Sequence, residues 1–202
     1  YAFPPLVVLI IAVGALVLAF RSPGGVLHAS AAPPAPLGSI SAVFTREIQH
    51  WAAAIATGSS AAGLDPNRAA TVMQIESCGN PRALSRSGAI GLFQVMPYHF
   101  DSLDDPYAPA TNAERGLAYL ARSLEAASGD ARLAFAGYNG GIGVIGRAEW
   151  AWPDETIRYA YWGSGIYADI SAGAADSPRL QEWLTAGGAS LCRSASARLG
   201  LP

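Results

Sequence analysis

The chain has 202 residues, is 51% hydrophobic and carries a formal net charge of −2, which suits one ordinary domain with a buried core. All 13 basic residues are Arg, so Schiff-base and P-loop chemistry lack their amine, and a near-neutral balance without basic clusters argues against nucleic acid as partner. Three scattered His and two distant Cys make no metal-ligand spacing, so neither metal nor cofactor is expected.

Residues 6–20 are an unbroken apolar run, and no charge precedes Arg21. Ala29, Ser30 and Ala31 fit a small-x-small cleavage site, while the uncharged stretch from Tyr1 is about long enough to span a bilayer. Segment 1–21 therefore reads as a signal peptide or a membrane anchor, with both readings open. Either implies export to the cell envelope, anchored or secreted. Residues 22–38 form a Pro/Ala/Gly linker, in which Pro33, Pro34 and Pro36 make a semi-extended spacer.

From residue 39 the helical period takes over. Phe44, Ile48, Trp51, Ala52 and Ile55 form one stripe, which predicts a helix capped by Ser41, running to residue 62 and stopped by Gly63. Asp65 and Pro66 then open a second helix as N-cap and first helical residue. Ala69, Val72, Met73 and Glu76 fall on one face of it, with Asn67, Thr71 and Gln74 opposite. Glu76 thus stands on an apolar stripe, in the last turn before Gly79, Asn80 and Pro81. Burial and the carbonyl end of the helix dipole both disfavour its charge and predict a raised pKa. A carboxyl that is still protonated near neutrality is what general-acid chemistry on an ether-like oxygen requires. The plainer alternative is a solvated or capping Glu.

Residues 82–93 carry too much Ser and Gly for a long helix, and Gly88 to Gly91 reads as a loop where backbone approaches a cleft. Thr111 and Glu114 have capping-box spacing and open a helix with Leu117, Leu120 and Leu124 on one face, ended by Gly129. Asp130 caps the next helix, which holds Leu133, Phe135, Ala136 and Tyr138. Asp154 is placed to cap a helix whose Ile157, Tyr161 and Trp162 would fill the core. Ser177 and Pro178 start a helix through Trp183, Gly187 and Gly188 break it, and residues 191–199 form another. Nothing alternates at period two for long, so the fold class is all-α. Cys192 is the only possible intrachain partner for Cys78. In an exported chain they more often pair than not, the alternative being two unbonded small hydrophobes.

Glu76-Ser77, Asn80-Pro81, Ala83, Ser85, Gly88-Ala89, Gly91-Leu92, Gln94 and Met96-Pro97 resemble the first two motifs of the soluble lytic transglycosylase family. Residues 134–141, ending in Tyr138-Asn139-Gly140-Gly141, resemble its third motif, and Glu155-Thr156-Ile157-Arg158-Tyr159 its fourth. The motifs stand in the family's order and span about residues 40–170. The resemblance implies a goose-lysozyme-like helical catalytic domain, here 39–172, with 173–202 as a helical tail packed on it. It also implies cleavage of the β-1,4 MurNAc–GlcNAc bond of peptidoglycan to a 1,6-anhydro sugar, by one Glu acting as acid and then base. By position, Glu76 matches the catalytic acid, Ser85 and Gln94 the sugar-binding polar residues, and Met96 an apolar cleft contact. Tyr138 and Asn139 match the pair beside the acid, and Tyr159 a tyrosine whose hydroxyl points at it. Glu155 is expected to be structural, near its helix start.

Three departures stand out: Gly79 where an aromatic is usual, Phe93 for Met, and Gly137 for Ala. Gly79 removes a wall residue near the acid, a space that Cys78 and the tail are expected to fill. Asp101, Asp104 and Asp105 are the candidates for a second carboxylate, and nothing in their spacing marks one as a nucleophile. The implied partners are glycan strands and, if segment 1–21 is kept, the membrane, with the chain working as a monomer. Two alternatives are a goose-type lysozyme, which hydrolyses the same bond, and a non-catalytic peptidoglycan-binding protein.

Overall fold

The computed structural model describes residues 38–202. The signal-or-anchor segment 1–21, and all but the last residue of the linker, lie outside them. The described residues form eight α-helices: α1 (Arg46–His50), α2 (Ala52–Ala61), α3 (Pro66–Glu76), α4 (Pro109–Ala126), α5 (Ala131–Gly140), α6 (Asp154–Ser171), α7 (Pro178–Trp183) and α8 (Ala189–Leu199). Among them there is no strand, only isolated bridges pairing Leu84 with Ile90 and Ile90 with Val95. No helix among the described residues is long and apolar enough to cross a membrane.

The architecture is built around α3. Asp65 caps it by accepting the Asn67 N–H at 2.8 Å, and Pro66 takes the first position, as the residue types dictate. From Ala69 to Ile75 every residue is buried, so both faces of the helix are covered. Val72 and Met73 enter the main core with Leu117, Leu120, Phe135 and Ile166. On the other side Gln74 Oε1 accepts from Thr45 Oγ1 at 3.1 Å, and Asn67 Oδ1 accepts the Ser41 N–H at 2.7 Å. Gln74 and Thr71 are tolerated at full burial there because each is hydrogen-bonded.

Helices α4, α5 and α6 pack in succession and close the core over α3, while α2 flanks both α3 and α4. The tail packs on the domain, α7 against α6 and α8 against α1. A disulfide joins Cys78, just past the end of α3, to Cys192 on α8, and closes a loop of 114 residues. Beside it the buried Glu47 carboxylate accepts from Ser196 Oγ and from Arg46 Nε. These bonds hold its pKa below the ordinary carboxyl range, against burial, which alone would raise it.

Five local expectations are corrected. The single helix over 39–62 is two, α1 and α2, because the chain turns at Trp51, whose indole N–H donates to the Gly79 carbonyl at 2.9 Å. Ser41 does not cap it: its hydroxyl accepts the Val43 N–H in a local turn. Helix α4 starts at Pro109, two residues before Thr111, so the proposed capping box falls inside the first turn. Asp154 is the first residue of α6, preceded by Pro153, and does not cap it. Finally α6 is rotated from the expected face. Tyr159, Ala160, Gly163, Ile166 and Ile170 are buried, whereas Tyr161 is exposed and Ile157 and Trp162 are only partly covered. Gly163 sets this rotation, since a Cβ there would stand 2.8 Å from the Phe135 ring that occupies the position.

Candidate active site

Helix α3 ends at Glu76, and Ser77 and Cys78 turn the chain away, Cys78 with φ of 49°. This leaves the Glu76 side chain on the wall of a cleft of about 460 Å³. Its lining brings together Glu76, Ser85, Gln94, Met96, Tyr138 and Asn139 from three separate stretches of chain. A larger apolar hollow of about 980 Å³ between α2 and α4 is lined mostly by alanines and shares no residue with this cleft.

Burial raises the Glu76 pKa from an ordinary carboxyl's 4.5 to about 8, with the nearby Glu155 carboxylate adding to the rise and the Tyr159 hydroxyl opposing it. Tyr159 lies behind the lining, buried, with its hydroxyl directed at Glu76 but without a hydrogen-bond partner of good geometry. Its own pKa, and that of Tyr138, are driven well up by burial and by the facing Glu76, so both rings keep their protons.

The other residues divide their polar atoms between fold and cleft. Tyr138 donates to the Phe93 carbonyl at 2.8 Å, so its hydroxyl supports the loop and its ring shapes the wall. Asn139 Oδ1 accepts from Thr156 Oγ1 at 2.8 Å, and Ser85 Oγ accepts the Ala89 N–H at 2.9 Å. Gln94 has a left-handed backbone, φ 48°, and its amide donates to the Gly91 carbonyl at 3.0 Å. Such strain in a non-glycine residue persists only where the surroundings over-determine it.

What over-determines it is Asn112, which sequence reasoning missed. Its buried side chain accepts the Phe93 N–H at 2.9 Å and donates to the carbonyls of Ile90 and Pro106 at 2.8 and 3.0 Å. Gly91 is required beside it, because φ is 75° and a Cβ would sit 2.4 Å from the Asn112 amide. No local pattern marks Asn112, whose partners are up to 22 residues away.

The three departures from the family pattern have physical counterparts. Trp51, not the tail, covers Gly79: a Cβ there would meet the indole at 2.9 Å, and Glu76 remains in a low-dielectric site. Phe93 packs on Gly116, and Gly137 makes room for Ser123 and Ile145. Asp101 and Asp104 are held by Arg115 at 2.5 and 2.7 Å, and neither they nor Asp105 line the cleft. The second carboxylate that does line it is Glu155, at the start of α6. It stands at the start of its helix, as expected, and also on the rim of the cleft that holds Glu76.

The family model described as Transglycosylase SLT domain matches residues 53–158. The chain is 34% identical over 142 residues to a transglycosylase of Enterobacteria phage PRD1, covering 65% of this chain and 52% of that one. It is 31% identical over 86 residues to membrane-bound lytic murein transglycosylase E of Buchnera aphidicola, covering 36% of this chain and 39% of that one. The chain thus spans about half the length, or less, of these relatives. Among solved structures, the lytic transglycosylase Slt of Pseudomonas aeruginosa has a TM-score of 0.48 at 22% identity, covering 59% of this chain and 24% of that one. The 70 kDa soluble lytic transglycosylase of Escherichia coli gives the same score and identity over 62% and 25%. On the match to residues 53–158, more than half its length, the chain belongs to the transglycosylase SLT domain family.

Proposed function

We propose that this protein is a lytic transglycosylase that cleaves the β-1,4 MurNAc–GlcNAc bond of peptidoglycan and leaves 1,6-anhydro-MurNAc ends. The observation that carries the reading is the Glu76 carboxyl in the cleft wall with its pKa pushed up to about 8. At neutral pH it holds a proton to give. Glu76 donates that proton to the glycosidic oxygen as the C1–O4 bond breaks. The C6 hydroxyl of the same sugar attacks C1, forming the C1–O6 bond, and its proton returns to the Glu76 carboxylate. The acid is thereby regenerated and no water is consumed. An intramolecular nucleophile supplies by orientation what a bound water would otherwise need a base to supply.

In this reading Tyr159 directs its unpartnered hydroxyl at the Glu76 carboxyl, and Tyr138 shapes the wall beside it. Ser85, Gln94 and Asn139 offer polar contacts to the sugars, and Met96 an apolar one. The catalytic unit is 39–172, with 173–202 clamped to it by the disulfide. It acts as a monomer on glycan strands of the cell envelope, and on the membrane surface if the N-terminal segment is retained.

A second reading is favoured by Glu155, since a second carboxylate in the cleft is what a hydrolase uses to activate water. Mass spectrometry of purified sacculi after digestion separates the possibilities. Anhydro ends are expected. Reducing ends would favour hydrolysis through Glu155, and the absence of any released fragment would favour a binding protein.

A further inference from the structure

Four rings line the cleft in sequence. Tyr138 meets Tyr119 with centroids 5.6 Å apart, Tyr119 meets His99 at 4.8 Å, and His99 meets Tyr98 at 4.5 Å. The inner end adjoins the acid, because Tyr138 stacks on Tyr159 at 6.4 Å and both feel the Glu76 charge. The outer end stands in solvent: Tyr98 is 75% exposed, although it lines the same cleft. Its backbone is fixed. Pro97, Tyr98 and His99 form a short 3-10 turn closed by the His99 N–H on the Met96 carbonyl at 3.0 Å. Arg122 covers the Tyr119 ring, and burial, helped by the Arg122 charge, holds the His99 pKa below the ordinary imidazole value.

An open tyrosine on a rigid turn is a large amphipathic contact whose ordering costs little side-chain entropy. Its flat apolar face matches the axial C–H face of a pyranose, and its hydroxyl is free to meet the sugar's rim. We propose that Tyr98, backed by His99, is a stacking platform for a sugar of the glycan strand beyond the two residues joined by the scissile bond. It would set a preference for longer strands. This rests on the function proposed above.

The test uses the full chain carrying Glu76→Gln, which blocks turnover, and unsubstituted GlcNAc–MurNAc oligosaccharides from disaccharide to octasaccharide, with Kd measured by calorimetry. Adding Tyr98→Ala is expected to weaken octasaccharide binding about 10-fold, the scale of one lost aromatic contact, and to leave the disaccharide unaffected. Tyr98→Phe should keep the affinity. Trp150→Ala, which removes an aromatic that is 87% exposed but outside the cleft lining, should leave it unchanged. Unchanged octasaccharide binding by Tyr98→Ala would overturn the platform and leave the proposed function standing. Equal weakening for both lengths would overturn it too, as a general distortion of the cleft. A Glu76→Gln protein that binds no oligosaccharide would overturn both.

Discussion

Glu76→Gln should stabilise the protein at neutral and alkaline pH and leave it almost unchanged in acid. The folded chain holds the Glu76 proton up to about pH 8, against an ordinary 4.5 for a solvated carboxyl. Between those values the unfolded chain has released a proton that the folded chain keeps, so folding becomes less favourable as pH rises. The stability linked to this proton is complete below about pH 4.5 and is lost progressively until pH passes about 8. At 1.36 kcal/mol per unit, the penalty is about 3 kcal/mol at pH 7 and nears about 5 kcal/mol above pH 8. Water in the cleft screens part of the charge, so these are ceilings. Glutamine has the same shape and no proton to lose. Urea unfolding of both proteins across a pH series should therefore show a gap that widens from near zero in acid to its plateau above about pH 8. A gap that stays constant across the series would mean that Glu76 titrates alike in both states, and the reasoning about its environment would be refuted.

Reduction of the Cys78–Cys192 disulfide, or Cys192→Ser, should cost up to about 4–5 kcal/mol, the chain entropy of so long a loop. A melting temperature insensitive to reductant, or alkylation of two thiols before reduction, would contradict this. Asn112→Ala leaves the Phe93 N–H and the carbonyls of Ile90 and Pro106 without their partner, at about 2–4 kcal/mol by the usual cost of buried unpaired groups. Turnover should fall with stability, because the loop that presents Gln94 loses its tie; wild-type stability would argue against it. Gly79→Ala forces a side chain into φ 80° and against the Trp51 indole, which should cost about 1–3 kcal/mol and change tryptophan fluorescence. An unchanged melt and spectrum would count against the packing described.

Much of this was legible before the structure. Asp65, Asp130 and Ser177 cap their helices through side-chain acceptors, and those signals are local, so α3, α5 and α7 begin where the residue types place them. The period that set Glu76 among Ala69, Val72 and Met73 is local too, and it foresaw a raised pKa. Failures arose where distant contacts overruled local preference. Thr111 and Asp154 have capping chemistry, yet Pro109 and Pro153 set those boundaries. Tyr161 and Trp162 have core composition, but the Phe135 ring against Gly163 turned α6 away from them. Asn112 was missed because it ties down Phe93 and Ile90, 19 and 22 residues away in the chain, and the place of Glu155 in the cleft lining is likewise set by packing and not by its helix start.

The central claim is that one side chain holds one proton at neutral pH. Following the carboxyl-carbon resonance of Glu76 by NMR through a pH titration tests it most directly. The expected midpoint is about 8, with the resonance still that of the protonated acid at neutrality. A midpoint near an ordinary carboxyl's 4.5 would contradict the account.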